Sequence, residues 1–61
     1  MNNNSWYLAK NGSNAWDNVS EAYANELLNN SDLGDGMLER MKSQRNCMVR
    51  TYAGVLRIES Q

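Results

Sequence analysis

The length of the chain limits it to one small hydrophobic core. With 61 residues, it lies near the lower limit at which a protein folds without disulfides, metals or partners. We expect residues 1–4 to be disordered and residues 5–61 to form a single domain. So small a core leaves little net stability, which binding to a partner would increase. The side chains predicted to turn inward are Trp6, Leu8, Trp16, Val19, Tyr23, Leu27, Leu38, Met41, Val49, Leu56 and Ile58.

Disulfides and zinc ions, which stabilise many small domains, are excluded here by composition. Cys47 is the only cysteine and the chain has no histidine, so neither an intrachain disulfide nor a zinc site of Cys and His ligands can form. The absence of an imidazole base also leaves Cys47 and the serines without an activating group. We therefore expect no cofactor, no metal site and no enzymatic activity.

The N-terminal stretch MNNNSWYLAK carries no targeting signal. It lacks the basic segment and the apolar segment of a signal peptide, and no apolar run approaches the length that crosses a bilayer. The sequence predicts a cytoplasmic protein that does not associate with membranes.

The first half of the chain predicts a strand followed by one long amphipathic helix. Over residues 5–10, Trp6 and Leu8 alternate with Tyr7 and Ala9, and the turn-forming pair Asn11-Gly12 ends this predicted strand. A side-chain oxygen of residue 13 or 14 can cap a helix that we expect to continue to residue 29 or 30. Spacings of three and four put its apolar residues on one face. These residues are Trp16, Val19, Tyr23 and Leu27.

The second half predicts a shorter helix and then strand-forming sequence. Asp35 can cap a helix over Met37–Gln44, which is too short to be stable unless it packs against the rest of the domain. From Cys47 onward β-branched, aromatic and aliphatic residues dominate, which favours strand. Ala53-Gly54 divides this segment and predicts a hairpin.

Three arrangements of this segment are compatible with the sequence. A two-residue loop of Ala53 and Gly54 would place Arg50 opposite Arg57 and sort the side chains cleanly by polarity. A three-residue loop ending at Gly54 would mix the two faces, and a continuous bent strand would put a bulge at Gly54. We prefer the first. Its inner residues are Val49, Thr51, Leu56 and Ile58.

Together these elements predict an α+β domain. The order is β-α-α-β-β, and a three-stranded antiparallel sheet packs on one long amphipathic helix. This arrangement leaves one face of the sheet open to solvent.

Charge is distributed unevenly along the chain. Residues 1–39 contain six carboxylates and one lysine, whereas residues 40–61 contain five cations and one carboxylate. Spaced carboxylates can occupy a basic groove built for nucleic acid. The predicted partner-binding residues are Asp17, Glu21, Glu26, Asp32, Asp35 and Glu39.

We therefore expect a small protein-binding module that docks on a larger protein or nucleoprotein complex and modulates or inhibits it. Docking would use either the acidic residues or the outer face of the sheet. In size class the chain is comparable to small phage-encoded inhibitors of host machinery, although no sequence motif supports that analogy.

The basic C-terminal segment supports an alternative function. A homodimeric nucleic-acid-binding regulator would use cations to bind phosphates and an aromatic ring to stack on a base. The residues predicted for this role are Arg45, Arg50, Tyr52 and Arg57.

Overall fold

The computed structural model of the protein describes residues 4–33, 36–44 and 47–60. These residues form a small α+β domain with the element order β-β-α-α-β-β. The strands are β1 (Asn4–Lys10), β2 (Asp17–Val19), β3 (Met48–Thr51) and β4 (Gly54–Ser60). The helices are α1 (Glu21–Asn29) and α2 (Met37–Ser43).

The four strands form one antiparallel sheet in the order β2-β1-β4-β3. The two central strands, β1 and β4, pair along their full length, from Asn4 opposite Ser60 to Lys10 opposite Gly54. The shorter strands β2 and β3 form the two edges. Segments from the two ends of the sequence therefore meet at the centre of the sheet.

The hydrophobic core lies between one face of the sheet and the two helices. Alternate residues of the central strands point into it, as period-two strand geometry requires. The buried apolar residues are Trp6, Leu8, Ala24, Leu27, Leu28, Met41, Leu56 and Ile58. The sequence identified Leu27 and the strand and α2 members of this set, and it missed Ala24 and Leu28.

The prediction of one long helix is wrong in its first half. Residues 17–19 instead form β2 and pair with β1, with Val19 opposite Trp6. The sheet therefore has four strands rather than three, and the chain has two short helices. Helix α1 begins after Ser20, whose Oγ accepts a hydrogen bond from the Tyr23 amide at 3.2 Å.

The later start of α1 changes which residues it buries. Its inner side carries Ala24, Leu27 and Leu28, whereas Tyr23 is 40% exposed. Trp16, which precedes β2, is 39% exposed. Both aromatic residues were expected in the core, and both lie outside it because the stripe that includes them requires helix at positions where the chain is extended.

The second helix agrees with its prediction to within one residue. It spans Met37–Ser43, with Gln44 as its C-cap. Its N-cap is Gly36, in a left-handed conformation and without a side-chain capping bond. The predicted cap, Asp35, lies outside the described residues.

The C-terminal hairpin exists, but its loop is Tyr52-Ala53 rather than Ala53-Gly54. Thr51 pairs with Gly54, so Arg50 faces Val55 and not Arg57. The Thr51 hydroxyl donates to the Gly54 carbonyl at 2.8 Å and accepts from the Ala53 amide at 3.2 Å, which closes this loop. The predicted inner and outer faces are nevertheless correct, because the pairing shifts by an even number of residues.

Candidate interaction surface: the outer sheet face

A row of side chains crosses the sheet on the side away from the helices. Tyr7 on β1 lies opposite Arg57 on β4, and Arg57 lies opposite Met48 on β3. Asn18 on β2 lies opposite Tyr7 and extends the row to the other edge. Strand alternation puts these residues on the face opposite to Trp6, Leu8, Leu56 and Ile58.

Arg57 is held at the centre of this row by aromatic rings. Its guanidinium carbon lies 4.7 Å from the Trp16 ring centroid and 5.0 Å from the Tyr7 ring centroid. Both distances are within the range of cation–π attraction. Its Nη2 also lies 3.2 Å from the Glu59 carboxylate. These contacts fix the orientation of a side chain that would otherwise have many rotamers.

Trp16 reaches this row because the loop before β2 folds back on the sheet. The Ser13 amide donates to the Lys10 carbonyl at 2.9 Å, and the Ala15 amide donates to Ser13 Oγ at 3.1 Å. Asn11 anchors the same loop to the β3–β4 turn. Its backbone amide donates to the Ala53 carbonyl, and its side-chain Nδ2 donates to the Tyr52 carbonyl. The loop is therefore attached both to the end of β1 and to the β3–β4 turn.

Two large side chains of the C-terminal hairpin remain open to solvent. Met48 is 59% exposed and Tyr52, in the hairpin loop, is 61% exposed. Tryptophan, tyrosine, methionine and arginine are the residue types enriched at protein interfaces, and tryptophan, tyrosine and arginine dominate binding hot spots. We call this surface the outer sheet face and define it as Tyr7, Trp16, Asn18, Met48, Arg50 and Arg57, with Tyr52 in the adjoining hairpin loop.

The structure places two of the four residues predicted to bind nucleic acid on this face and a third in the loop beside it. Arg50 is exposed on β3, Tyr52 is in the loop, and Arg57 is at the centre. Arg45 lies outside the described residues. The expected opposition of two arginines does not occur, and Arg57 is paired with Glu59.

The remaining members of the outer sheet face were not predicted as site residues. Tyr7 was recognisable in principle, because the alternation of β1 directs it away from Trp6 and Leu8. Trp16 gave no such signal, since its spacing from later apolar residues favoured a helix. Its position depends on the loop fold and on its contact with Arg57, which local sequence does not reveal.

Five of the six predicted acidic residues are described by the structure, and these five are exposed but distributed over several elements. Glu21 and Glu26 differ by five positions on α1, which is about 140° around the helix. Glu21 is also engaged within the domain: it lies 3.5 Å from Lys42 Nζ and accepts from Trp6 Nε1 at 3.4 Å. Asp35 lies outside the described residues. The other three are Asp17 on β2, Asp32 after α1 and Glu39 on α2.

Two further properties limit the kind of site that the described residues can form. Within residues 4–33, 36–44 and 47–60, no group of histidine, cysteine and carboxylate side chains is arranged to hold a metal ion. The helices of this same part of the chain are also too short to cross a membrane.

Comparison of the chain with protein-family models, with curated proteins and with solved structures gives no match.

Proposed function

We propose that this protein is a binding module that docks on a larger macromolecular partner through the outer sheet face and modulates that partner's activity. The observation that carries the proposal is Arg57, held between Trp16 and Tyr7 on an open sheet beside the exposed Met48. A pre-oriented arginine loses less side-chain entropy on binding than a free one.

Burial of the exposed apolar groups would favour binding of a partner to this surface. Removing apolar surface from water favours association, against the translational and side-chain entropy that binding costs. Contiguous exposed apolar side chains rimmed by polar ones are typical of interaction sites. On the outer sheet face, Met48 and Trp16 supply the apolar area, and Arg50 and Asn18 supply the polar surroundings.

Matched baits can test which face docks. The wild-type chain and the Trp16→Ala and Tyr23→Ala variants would each capture proteins from an extract of the source cells. Trp16 and Tyr23 are equally exposed but lie on different parts of the molecule. We expect Trp16→Ala to lose a partner that the wild type and Tyr23→Ala both retain. Retention of that partner by Trp16→Ala would overturn the proposed docking surface.

The acidic residues support a different form of the same proposal, in which the module blocks a basic nucleic-acid-binding groove. Glu26→Lys combined with Glu39→Lys reverses two exposed carboxylates without touching Glu21, which contacts Lys42 and Trp6. Loss of capture by this double variant, with normal capture by Trp16→Ala, would assign docking to the acidic residues instead.

A second candidate function is binding of single-stranded nucleic acid. The grouping of Arg50 and Arg57 with aromatic rings on an open antiparallel sheet favours it, because such faces stack bases and bind phosphates. The small number of cations and the pairing of Arg57 with Glu59 weigh against high affinity. A gel-retardation assay at two salt concentrations tests this function. Binding that weakens steeply with salt and is lost in Arg50→Gln would support it.

A further inference from the structure

We propose that the free edge of β3 accepts an extended acidic segment of the partner as a fifth strand of the sheet. This inference rests on the proposed function and specifies the chemistry of the partner. It concerns the backbone of β3 rather than the side chains around Arg57, so the two can fail independently.

The hydrogen-bonding pattern of β3 leaves two residues facing outward. The Ile58 amide donates to the Cys47 carbonyl at 3.0 Å, which makes this a hydrogen-bonded pair. In an antiparallel ladder such pairs alternate with non-hydrogen-bonded ones. The alternation makes Met48 and Arg50 the residues whose amides and carbonyls point away from β4. Within the described residues, these backbone groups have no hydrogen-bond partner.

The β3 edge lacks two of the features that usually discourage strand addition. Edge strands are commonly protected by proline, lysine, bulges or a covering segment. The sequence of β3 is MVRT, with neither proline nor lysine. Met48 is more than half exposed beside the outward-facing backbone groups. An added strand would both satisfy the backbone and cover this side chain.

Charge favours an acidic occupant. Arg50 points to the outer side at this edge, and Arg57 lies one strand inward on the same side. Carboxylates at alternate positions of an added strand would lie on that side and within reach of Arg50. A second copy of the chain fits less well, because pairing β3 with β3 would bring the two Arg50 side chains close together on one face.

The opposite edge of the sheet does not share these properties. Strand β2 has three residues and carries Asp17, which would repel an acidic segment. The predicted site is therefore specific to one edge, and β2 provides an internal comparison for any measurement.

Amide hydrogen exchange with model peptides tests the proposal on the intact chain. The probe is a blocked peptide of alternating glutamate and valine, and the control replaces glutamate with lysine. At a probe concentration about ten times its Kd, we expect exchange at the Met48 and Arg50 amides to slow about tenfold, since protection follows the occupied fraction. The lysine peptide should leave both rates unchanged.

Three results would overturn the proposal. The acidic peptide could fail to bind at millimolar concentration, it could bind without protecting these two amides, or the lysine peptide could protect them equally. Protection of the same amides in the protein alone at high concentration, accompanied by dimerisation, would also overturn it, because the occupant would then be a second copy.

Variants of Met48 separate the backbone contribution from the side chain. Met48→Pro removes an outward-facing amide, which an edge strand tolerates, whereas Met48→Ala keeps that amide and loses the side chain. We expect Met48→Pro to abolish binding of the acidic peptide and Met48→Ala to weaken it only in part, because the outward-facing amide remains and only the covered side chain is lost. In the capture experiment, a partner retained by Met48→Pro but lost by Trp16→Ala would refute strand addition and leave the proposed function standing.

Discussion

Gly54 occupies a position where no other residue fits. It begins β4 with φ = 144°, and it lies opposite Lys10 on β1. A Cβ at this position would approach the Lys10 Cα to 2.8 Å and would also collide with the Ala9 carbonyl. The need for close contact between β1 and β4 therefore places this glycine within the ladder rather than in the loop. This requirement explains why the hairpin closes at Thr51-Gly54.

We expect Gly54→Ala to lower the free energy of unfolding by about 2 kcal/mol or more, because it combines backbone strain with a collision between backbones. Gly12→Ala is the matched control. Gly12 also has positive φ, at 81°, but a Cβ there meets no atom within 4 Å, so a loss of only about 1 kcal/mol is expected. Urea denaturation measures both. Equal losses would show that contact with β1 does not restrict residue 54.

At the scale of single elements, the start of α1 shows where local sequence is insufficient. Trp16 and Val19 have a helical spacing, but the two exposed polar residues between them are also compatible with a short edge strand. Residues 17–19 are extended because they pair with β1. This pairing joins segments distant in sequence, so the local hydrophobic periodicity does not predict it. The strands β1 and β4 and helix α2 were predictable because their local patterns agree with their final environment.

The cap of α1 can be tested directly. Ser20→Ala removes the hydroxyl that accepts from the Tyr23 amide, so we expect the free energy of unfolding to fall by about 1 kcal/mol. Ser13, one of the two caps predicted from sequence, accepts only from the Ala15 amide in an exposed turn, and its replacement by alanine should cost about half as much or less. Urea denaturation compares the two variants. A larger effect at Ser13 would contradict the observed helix start.

For the whole molecule, the fold separates a sheet face that packs against the helices from a sheet face that is open to solvent. One side of the sheet packs against both helices, while the outer sheet face carries Arg57 between two aromatic rings. The sequence predicted which strand residues face each way after residue 48. It did not predict the aromatic contacts of Arg57, because Tyr7, Trp16 and Arg57 come from three separate segments. Predicting a surface assembled from distant segments requires the sheet topology, and a local sequence pattern does not contain that information.

The same topology predicts an order of local stability. Amides exchange slowly where they are hydrogen-bonded between central strands and buried under a packed core. We expect the slowest exchange along β1 and β4, around Trp6 and Ile58, which are almost completely buried. Faster exchange is expected in β2, a three-residue edge strand, and at the outward-facing amides of β3. Hydrogen exchange followed by NMR measures these rates at each residue.

Faster exchange at Val49 and Thr51, whose amides face β4, than along β1 and β4 would mean that β3 opens without disturbing the core. The pairing of β1 with β4 forms the centre of the sheet, so the edge strand β3 can open while the rest of the domain stays folded. Uniform exchange across all four strands would contradict this separation. In that case the sheet would open only by global unfolding.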